Sequence, residues 1–196
     1  MNTIYLRRAK QTDLDAIMAI INDAKAYLKA QQIPQWQDGH PDQAVIEHDI
    51  TTQTGWVLIS NAQIAGYAAL QLTPEPTYQK LQGGKWSQPS QPYATIHRVA
   101  ISQHFRGQHL SSMLFTNLLT VGQMQDINNF RIDTHPANQG MQHVISSCGF
   151  KQRGTILIND QCDPHRLAYE LNLGDHQRLT QVNNDFMQSL IDNLPK

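Results

Sequence analysis

The opening IYLRRA sets apolar against polar residues in a short alternating run, which predicts a strand. Thr12 is then placed to cap a helix, with Asp15 completing a capping box. Leu14, Ile17, Ile20, Ile21, Ala24 and Leu28 follow at helical spacing. IPQWQDGHP breaks the pattern with two prolines and a glycine, and AVIEHDI offers a short second helix. WVLISNAQIAGYAALQL holds two β-rich runs around Asn61 and Ala62, the pattern of a hairpin. Residues 73 to 92 are too rich in Pro, Gly and Gln for a regular element and too long for a routine connector, so they read as a binding loop. YATIHRVAI is a strand, SQHFRGQ a turn, and HLSSMLFTNLLTVGQM a helix with Leu110, Leu114, Leu118 and Val121 along one face. FRIDTH predicts another strand, NQGMQHVISSC a short helix, and TILI and RLAYELNL two more strands.

This succession predicts an α+β domain, a layered α/β architecture with one mixed, mostly antiparallel sheet and helices on both faces. A length of 196 residues suits one domain with a tail. The domain is expected over residues 2–173. From Gly174 a helical tail over 174–196 repeats Leu179, Val182, Phe186, Leu190 and Leu194, a stripe that would dock on the domain or, in a homodimer, on a second subunit.

The formal net charge of −1, with neither sign gathered into a run, argues against nucleic acid and anionic membrane as partners and points to a small molecule or peptide. No stretch approaches the roughly 18 apolar residues of a membrane span, and the N-terminal residues lack a signal-peptide core, so the expected compartment is the cytoplasm. Cys148 and Cys162 are too few for a disulfide framework and read as free thiols. Nine histidines raise the question of metal, but none forms H-x-x-x-H or H-E-x-x-H, and no metal site is expected.

Chemistry concentrates in IHRVAISQHFRGQHLSSMLFTNLL, where a strand passes through a glycine-containing turn directly into a helix. Free N–H groups and the positive helix end would there face an anion such as a pyrophosphate. Arg106 supplies charge and Gly107 the sharp turn. Neither G-x-G-x-x-G nor G-x-x-x-x-G-K-[ST] is present, which excludes the dinucleotide and P-loop patterns.

Residues 99 to 114, VAISQHFRGQHLSSML, resemble the acetyl-CoA segment of the GNAT acyltransferase superfamily, with its Q/R-x-x-G-x-G/A loop. Residues 133 to 150, DTHPANQGMQHVISSCGF, resemble its next segment, and PQWQDGHP is similar to the acceptor-side loop of a bacterial subgroup with few assigned substrates. The resemblance spans about residues 2 to 173. It implies acetyl-CoA (coenzyme A) as co-substrate and direct transfer of an acetyl group to a primary amine of a small molecule or peptide. It also implies that Val99 and Ile101 hold the pantetheine arm through their backbones, that Arg106, Gly107, Gln108, His109, Leu110 and Ser111 surround the pyrophosphate, and that Asn138 faces the cofactor. The sequence departs from the pattern at His104, His109 and Ser111. His109 stands where the family has Gly or Ala, and it would either crowd the phosphates or donate a hydrogen bond to them.

For the chemistry, an alkyl amine needs a base, and imidazole as a class titrates in the right range, which makes His97, two residues before Val99, the first candidate; the other reading packs its ring beside the core. Asp133 and His135 are further candidates, or caps for the helix near Asn138. A backbone N–H near Val99 would meet the developing oxyanion. In many family members a tyrosine four residues before the Gly-Phe pair protonates the leaving thiolate; Ile145 stands there, leaving water, Tyr93 or Ser146. The alternative function is a catalytically weak acyl-CoA-binding module of the same fold. Cys148 reads as a small packed residue. Trp36 and Trp86 are lids over the acceptor or loop anchors, and with Asp38 they suggest a cationic or amphipathic amine.

Overall fold

The computed structural model describes residues 3–174. The expected tail therefore lies outside the described residues. Seven strands form one sheet: β1 (Ile4–Arg8), β2 (Gly55–Ser60), β3 (Gln63–Gln71), β4 (Ala94–Ile101), β5 (Asn129–Thr134), β6 (Lys151–Leu157) and β7 (His165–Asn172). Their order across the sheet is β1-β2-β3-β4-β5-β7-β6, antiparallel throughout except where β4 runs parallel to β5.

Four helices cover both faces: α1 (Leu14–Ala30), α2 (Gln43–Thr51), α3 (Leu110–Gln123) and α4 (Gln139–Ser147). On one side Ile17 and Ile21 of α1 and Ile46 of α2 close over Val57, Ile59, Tyr67 and Ala100. On the other, Leu114, Phe115 and Leu118 of α3 pack with Leu58, Leu70, Ile96 and Phe130. Adjacent β2 residues thus enter opposite cores, as the strand period of two requires.

Local chemistry sets the element ends. The helix start expected at Thr12 falls instead at Leu14, because Gln11–Asp13 form a 3-10 turn. Asp13 fixes that entry by accepting the Lys10 backbone N–H at 2.8 Å and the Arg7 guanidinium at 2.6 and 2.9 Å. Asp42 caps α2 by accepting the Val45 N–H at 3.0 Å. Asn61 and Ala62 both take positive φ, 50° and 65°, the I′-type turn that joins β2 to β3. After α4, Gly149 takes φ +89° and delivers Phe150 edge-on to Phe115 at 5.9 Å, which explains why a Gly-Phe pair ends this segment.

Residues 73 to 92 are strapped onto the sheet around Tyr78, which is buried with Ile156 and Ala168. The Trp86 indole N–H donates to the Tyr78 carbonyl at 2.9 Å, and the Arg131 guanidinium lies 4.1 Å from the Trp86 ring and 3.8 Å from that of Tyr93. Buried Glu170 accepts the Ser87 N–H at 2.6 Å and binds Arg153 at 3.1 Å.

Two irregularities in β4 position the site. The β3–β4 register shifts by one residue between Tyr67/Ala100 and Ala69/His97, and Arg98, in this bulge, adopts φ +56°. The β4–β5 ladder is limited to Ala94/Phe130 and Thr95/Arg131, so beyond Thr95 the two strands part and leave a cleft between parallel neighbours.

Candidate active site

A cavity of about 660 Å³ fills this cleft. His97, Val99 and Ile101 reach it from β4, and Ile132 and Asp133 from β5. Arg106, Gly107, His109, Leu110 and Ser111 come from the turn and first residues of α3; Asn138, Met141 and Val144 line it from α4. Of the residues expected to hold the cofactor, only Gln108, which is exposed, is not at the cavity wall.

The turn has the features an anion needs. Gly107 takes φ +77°, and a Cβ placed there would meet nothing within 4 Å, so the space over its backbone is open. Leu110 and Ser111 open α3, presenting unpaired helix-start N–H groups. The position where the resembling family has Gly or Ala demands a left-handed backbone, and His109 adopts it at φ +56°, ψ +20°. For a residue with a Cβ that conformation costs about 1–2 kcal/mol. His109 makes no side-chain cap bond to the helix. Arg106 lies with its guanidinium 4.1 Å from the ring of Tyr27, a half-exposed α1 residue that also lines the cavity. The sequence pattern offered no reason to single out Tyr27, which lies seven residues after Ile20 at the edge of the apolar stripe of α1.

The bulge places Val99 without a ladder partner on β3, where its backbone can turn toward the cavity. What holds the bulge is the Arg98 side chain. Its Nε and Nη2 each donate to Asp49 of α2 at 2.7 Å, and the Tyr67 hydroxyl donates to the same carboxylate at 2.7 Å. Burial, and then Asp49, drive the Tyr67 hydroxyl far above its ordinary pKa.

At the other end His97 meets Glu75, a residue of the 73–92 loop that sequence reasoning missed because a lone glutamate among prolines carries no spacing signal. Glu75 Oε2 lies 3.5 Å from His97 Nε2. The imidazole holds the Glu75 carboxyl below the usual carboxylate range, against desolvation that would raise it; Thr77 helps by donating its hydroxyl to Oε1 at 3.1 Å. Asp133 accepts the Tyr78 hydroxyl at 2.6 Å, and Arg166 pairs with Asp160 while lying 3.9 Å from Asp133. The Tyr78 hydroxyl is pushed well above its ordinary value by burial and by Asp133. This end of the cavity thus sets Glu75, Asp133 and Asp160 against one guanidinium, Arg166; the other, Arg98, is neutralised by Asp49 behind the wall.

Other expected residues are engaged elsewhere. Asn138 lines the cavity, but its Nδ2 donates to Gln35 Oε1 at 3.0 Å and its Oδ1 accepts the Met141 N–H at 3.1 Å, so it ties α4 to the 35–40 loop. His135 is away from the cavity: Nδ1 accepts the Ala137 N–H at 3.0 Å and Nε2 faces Asp163 at 3.0 Å, so it braces the turn before α4, whose cap is Asn138. Ile145 is fully buried in the core, Ser146 is exposed away from the cavity, and Tyr93 is stacked on Tyr78 with its hydroxyl accepting the Glu75 N–H at 2.9 Å. Trp86 is a loop anchor, whereas Trp36 lines the cavity. Burial raises the Cys148 thiol above its ordinary pKa, as a packed residue would show. Among the described residues no group of His, Cys, Asp and Glu gathers to hold a metal ion, and no helix is long and apolar enough to cross a membrane.

The pattern of the Acetyltransferase (GNAT) family matches residues 17–150. A GNAT-family acetyltransferase from Streptococcus agalactiae 2603 is 33% identical and superposes with a TM-score of 0.79, over 86% of this chain and 95% of that one. Another from Listeria monocytogenes 4b F2365 shares 22% identity with a TM-score of 0.67, over 87% and 95%. AAC(6')-Ib, solved with ribostamycin and coenzyme A, shares the fold at 17% identity and a TM-score of 0.64, over 91% of this chain and 98% of its own. No curated protein matches the chain by sequence.

Proposed function

Since the chain belongs to the GNAT acetyltransferase family, whose co-substrate is acetyl-CoA, we propose that it acetylates a primary amine of a small molecule or peptide by direct transfer in a ternary complex. The observation that carries this reading is a cavity that joins the start of α3, at Gly107 and Leu110, to an imidazole and carboxylates at His97, Glu75 and Asp133.

Acetyl-CoA supplies the thioester carbonyl. The amine nitrogen forms the new C–N bond, the C–S bond breaks, and the thiol leaves with a proton. An ammonium acceptor gives up two protons in all, one ending on sulfur and one released to solvent. The chain's part is to hold the two substrates in line and to take the first proton. Val99 and Ile101 border the cleft between β4 and β5, where backbone groups freed by the bulge would bind the pantetheine arm and the developing oxyanion. The α3 turn, with Arg106, would hold the pyrophosphate. His97 would accept the ammonium proton. The carboxylates around it, outnumbering the available guanidinium, favour a cationic amine over an anionic one.

The test is calorimetric titration with acetyl-CoA, followed by release of free thiol from acetyl-CoA across a panel of cationic, neutral and anionic amines. Saturable binding and thiol release with the cationic members are expected. No binding at millimolar cofactor would end the reading. A second reading, a binding module with little catalysis, is favoured by the buried Ile145 in the place of the usual tyrosine; it gives binding with no amine-dependent thiol release.

A further inference from the structure

We infer that Glu75 is the positioning residue for His97: the loop between β3 and β4 carries a carboxylate to the imidazole and thereby fixes which ring nitrogen is free to take the proton. This rests on the acetyl-transfer reading and adds to it the residue that makes His97 a base.

The His97 ring is mostly buried, and its Nε2 is shielded from solvent with no hydrogen-bond partner in ladder, helix or neighbouring side chain. The carboxylate oxygen of Glu75 at 3.5 Å is the anion that faces it. A carboxylate opposite one ring nitrogen keeps the proton on that nitrogen and leaves the lone pair on the other. Here the proton stays on Nε2, and Nδ1 becomes the acceptor.

The other charged and titratable groups around the ring are occupied. Tyr78, whose ring centroid lies 6.5 Å from that of His97, donates its hydroxyl to Asp133 of β5. Arg98, the next residue of β4, is held by Asp49 of α2. Among the described residues, Glu75 is the charged group that comes within 4.0 Å of the imidazole.

Glu75 is itself held from two sides. Thr77 donates to its Oε1 at 3.1 Å, which leaves Oε2 for the histidine. Its backbone N–H donates to the Tyr93 hydroxyl at 2.9 Å, and the Tyr93 ring stacks on Tyr78 and lies 3.8 Å from the Arg131 guanidinium. The strapping of the 73–92 loop onto β5 and β7 therefore ends at the imidazole, and this gives a long polar loop a reason to be pinned by buried charges.

The experiment is Glu75→Gln in the full chain, which keeps an oxygen for Thr77 and removes the charge, read in two ways. Nitrogen-15 NMR of the histidine rings, assigned with His97→Gln, reports tautomer and titration without any acceptor. The expected result is an Nε2–H tautomer in the unsubstituted protein and a mixed tautomer in Glu75→Gln. With acetyl-CoA and the panel amine that gives the fastest thiol release, kcat should fall on the order of tenfold and its acidic limb shift downward, with KM for acetyl-CoA unchanged. In a His97→Gln background the same substitution should have no further effect on kcat. An unchanged His97 tautomer in Glu75→Gln overturns the inference. Absence of thiol release from the unsubstituted protein overturns the acetyl-transfer reading instead, and the NMR result still decides whether Glu75 sets the ring.

Discussion

Replacing Gly107 by Val separates the backbone geometry of the α3 turn from its use as a ligand site. The residue holds φ +77°, and a Cβ built on it meets nothing within 4 Å, so the substitution brings torsional strain and no clash with the protein. A left-handed conformation costs a residue with a Cβ about 1–2 kcal/mol, partly offset by about 0.4–1 kcal/mol of lost unfolded-state freedom. At about 2–4 °C per kcal/mol for a chain of this size, the unliganded Tm should fall by only a few degrees. The space that is empty of protein is the space over the helix start, and there the valine methyls would stand where a pyrophosphate must approach. At a concentration one hundred times its Kd, coenzyme A should raise the Tm of the unsubstituted protein through about 2.7 kcal/mol of linkage, roughly 5–11 °C. If the variant binds about a hundredfold more weakly, the same concentration supplies about 0.4 kcal/mol and a shift of no more than about 2 °C. Thermal unfolding with and without coenzyme A, backed by calorimetry, reads both numbers. A variant whose Tm drops as expected while its coenzyme A shift stays at the original size would mean that the cofactor does not lie on this turn.

Tyr27→Ala should weaken coenzyme A by about two- to fivefold, the equivalent of the 0.5–1 kcal/mol of an exposed cation–π contact, by freeing the Arg106 guanidinium that now rests 4.1 Å from the ring; unchanged affinity in calorimetry would show that Arg106 needs no platform. Trp86→Ala should destabilise the fold by about 3 kcal/mol in urea titration, because it strips the ring between Tyr78 and Arg131, yet leave coenzyme A affinity as it was; a large affinity loss in a folded variant would return Trp86 to the site. Asp13 is held below the usual carboxylate pKa, first by the Arg7 hydrogen bonds. Its stabilisation is therefore complete above the unfolded value near 3.9 and is lost as pH falls through the depressed native value. Asp13→Asn should accordingly lower stability at neutral pH and flatten the acid limb of a stability–pH curve; an unaltered limb would refute the assignment.

The order of strands and helices along the chain was readable, α1 and α3 from hydrophobic period, since each buries one face against a core that wants the same residues the pattern supplies; β6 starts at Lys151, four residues before the TILI run that predicted it. The hairpin at Asn61 was readable from turn chemistry. The two features of β4 that create the site were not. A bulge at Arg98 has no sequence mark, because the residue that stabilises it, Asp49, lies on another helix and far away in the chain. The early parting of β4 from β5 likewise depends on the tertiary course of two strands that look alike in sequence.

The candidate site divides along the same line. Residues proposed to act through their backbone, Val99, Gly107, Leu110 and Ser111, could be placed at the cavity because a strand, a glycine turn and a helix start are local objects. Residues that act through side chains depend on which loops converge, and sequence adjacency does not show this: Asp133 and His135 stand two residues apart, yet one lines the cavity and the other turns to Asp163 and to the Ala137 N–H ahead of α4. Glu75 was invisible for the opposite reason, since it comes to His97 from 22 residues away by way of a loop whose own order depends on buried contacts at Tyr78, Trp86 and Glu170. Backbone recognition of the cofactor can thus survive substitutions such as His109, which needs only to adopt the left-handed turn. The proton-handling end has no such tolerance, because its geometry is the sum of several long-range contacts. Changes in the 73–92 loop should on this argument alter kcat and acceptor choice while leaving coenzyme A affinity nearly constant. A loop variant that lost coenzyme A first would contradict it.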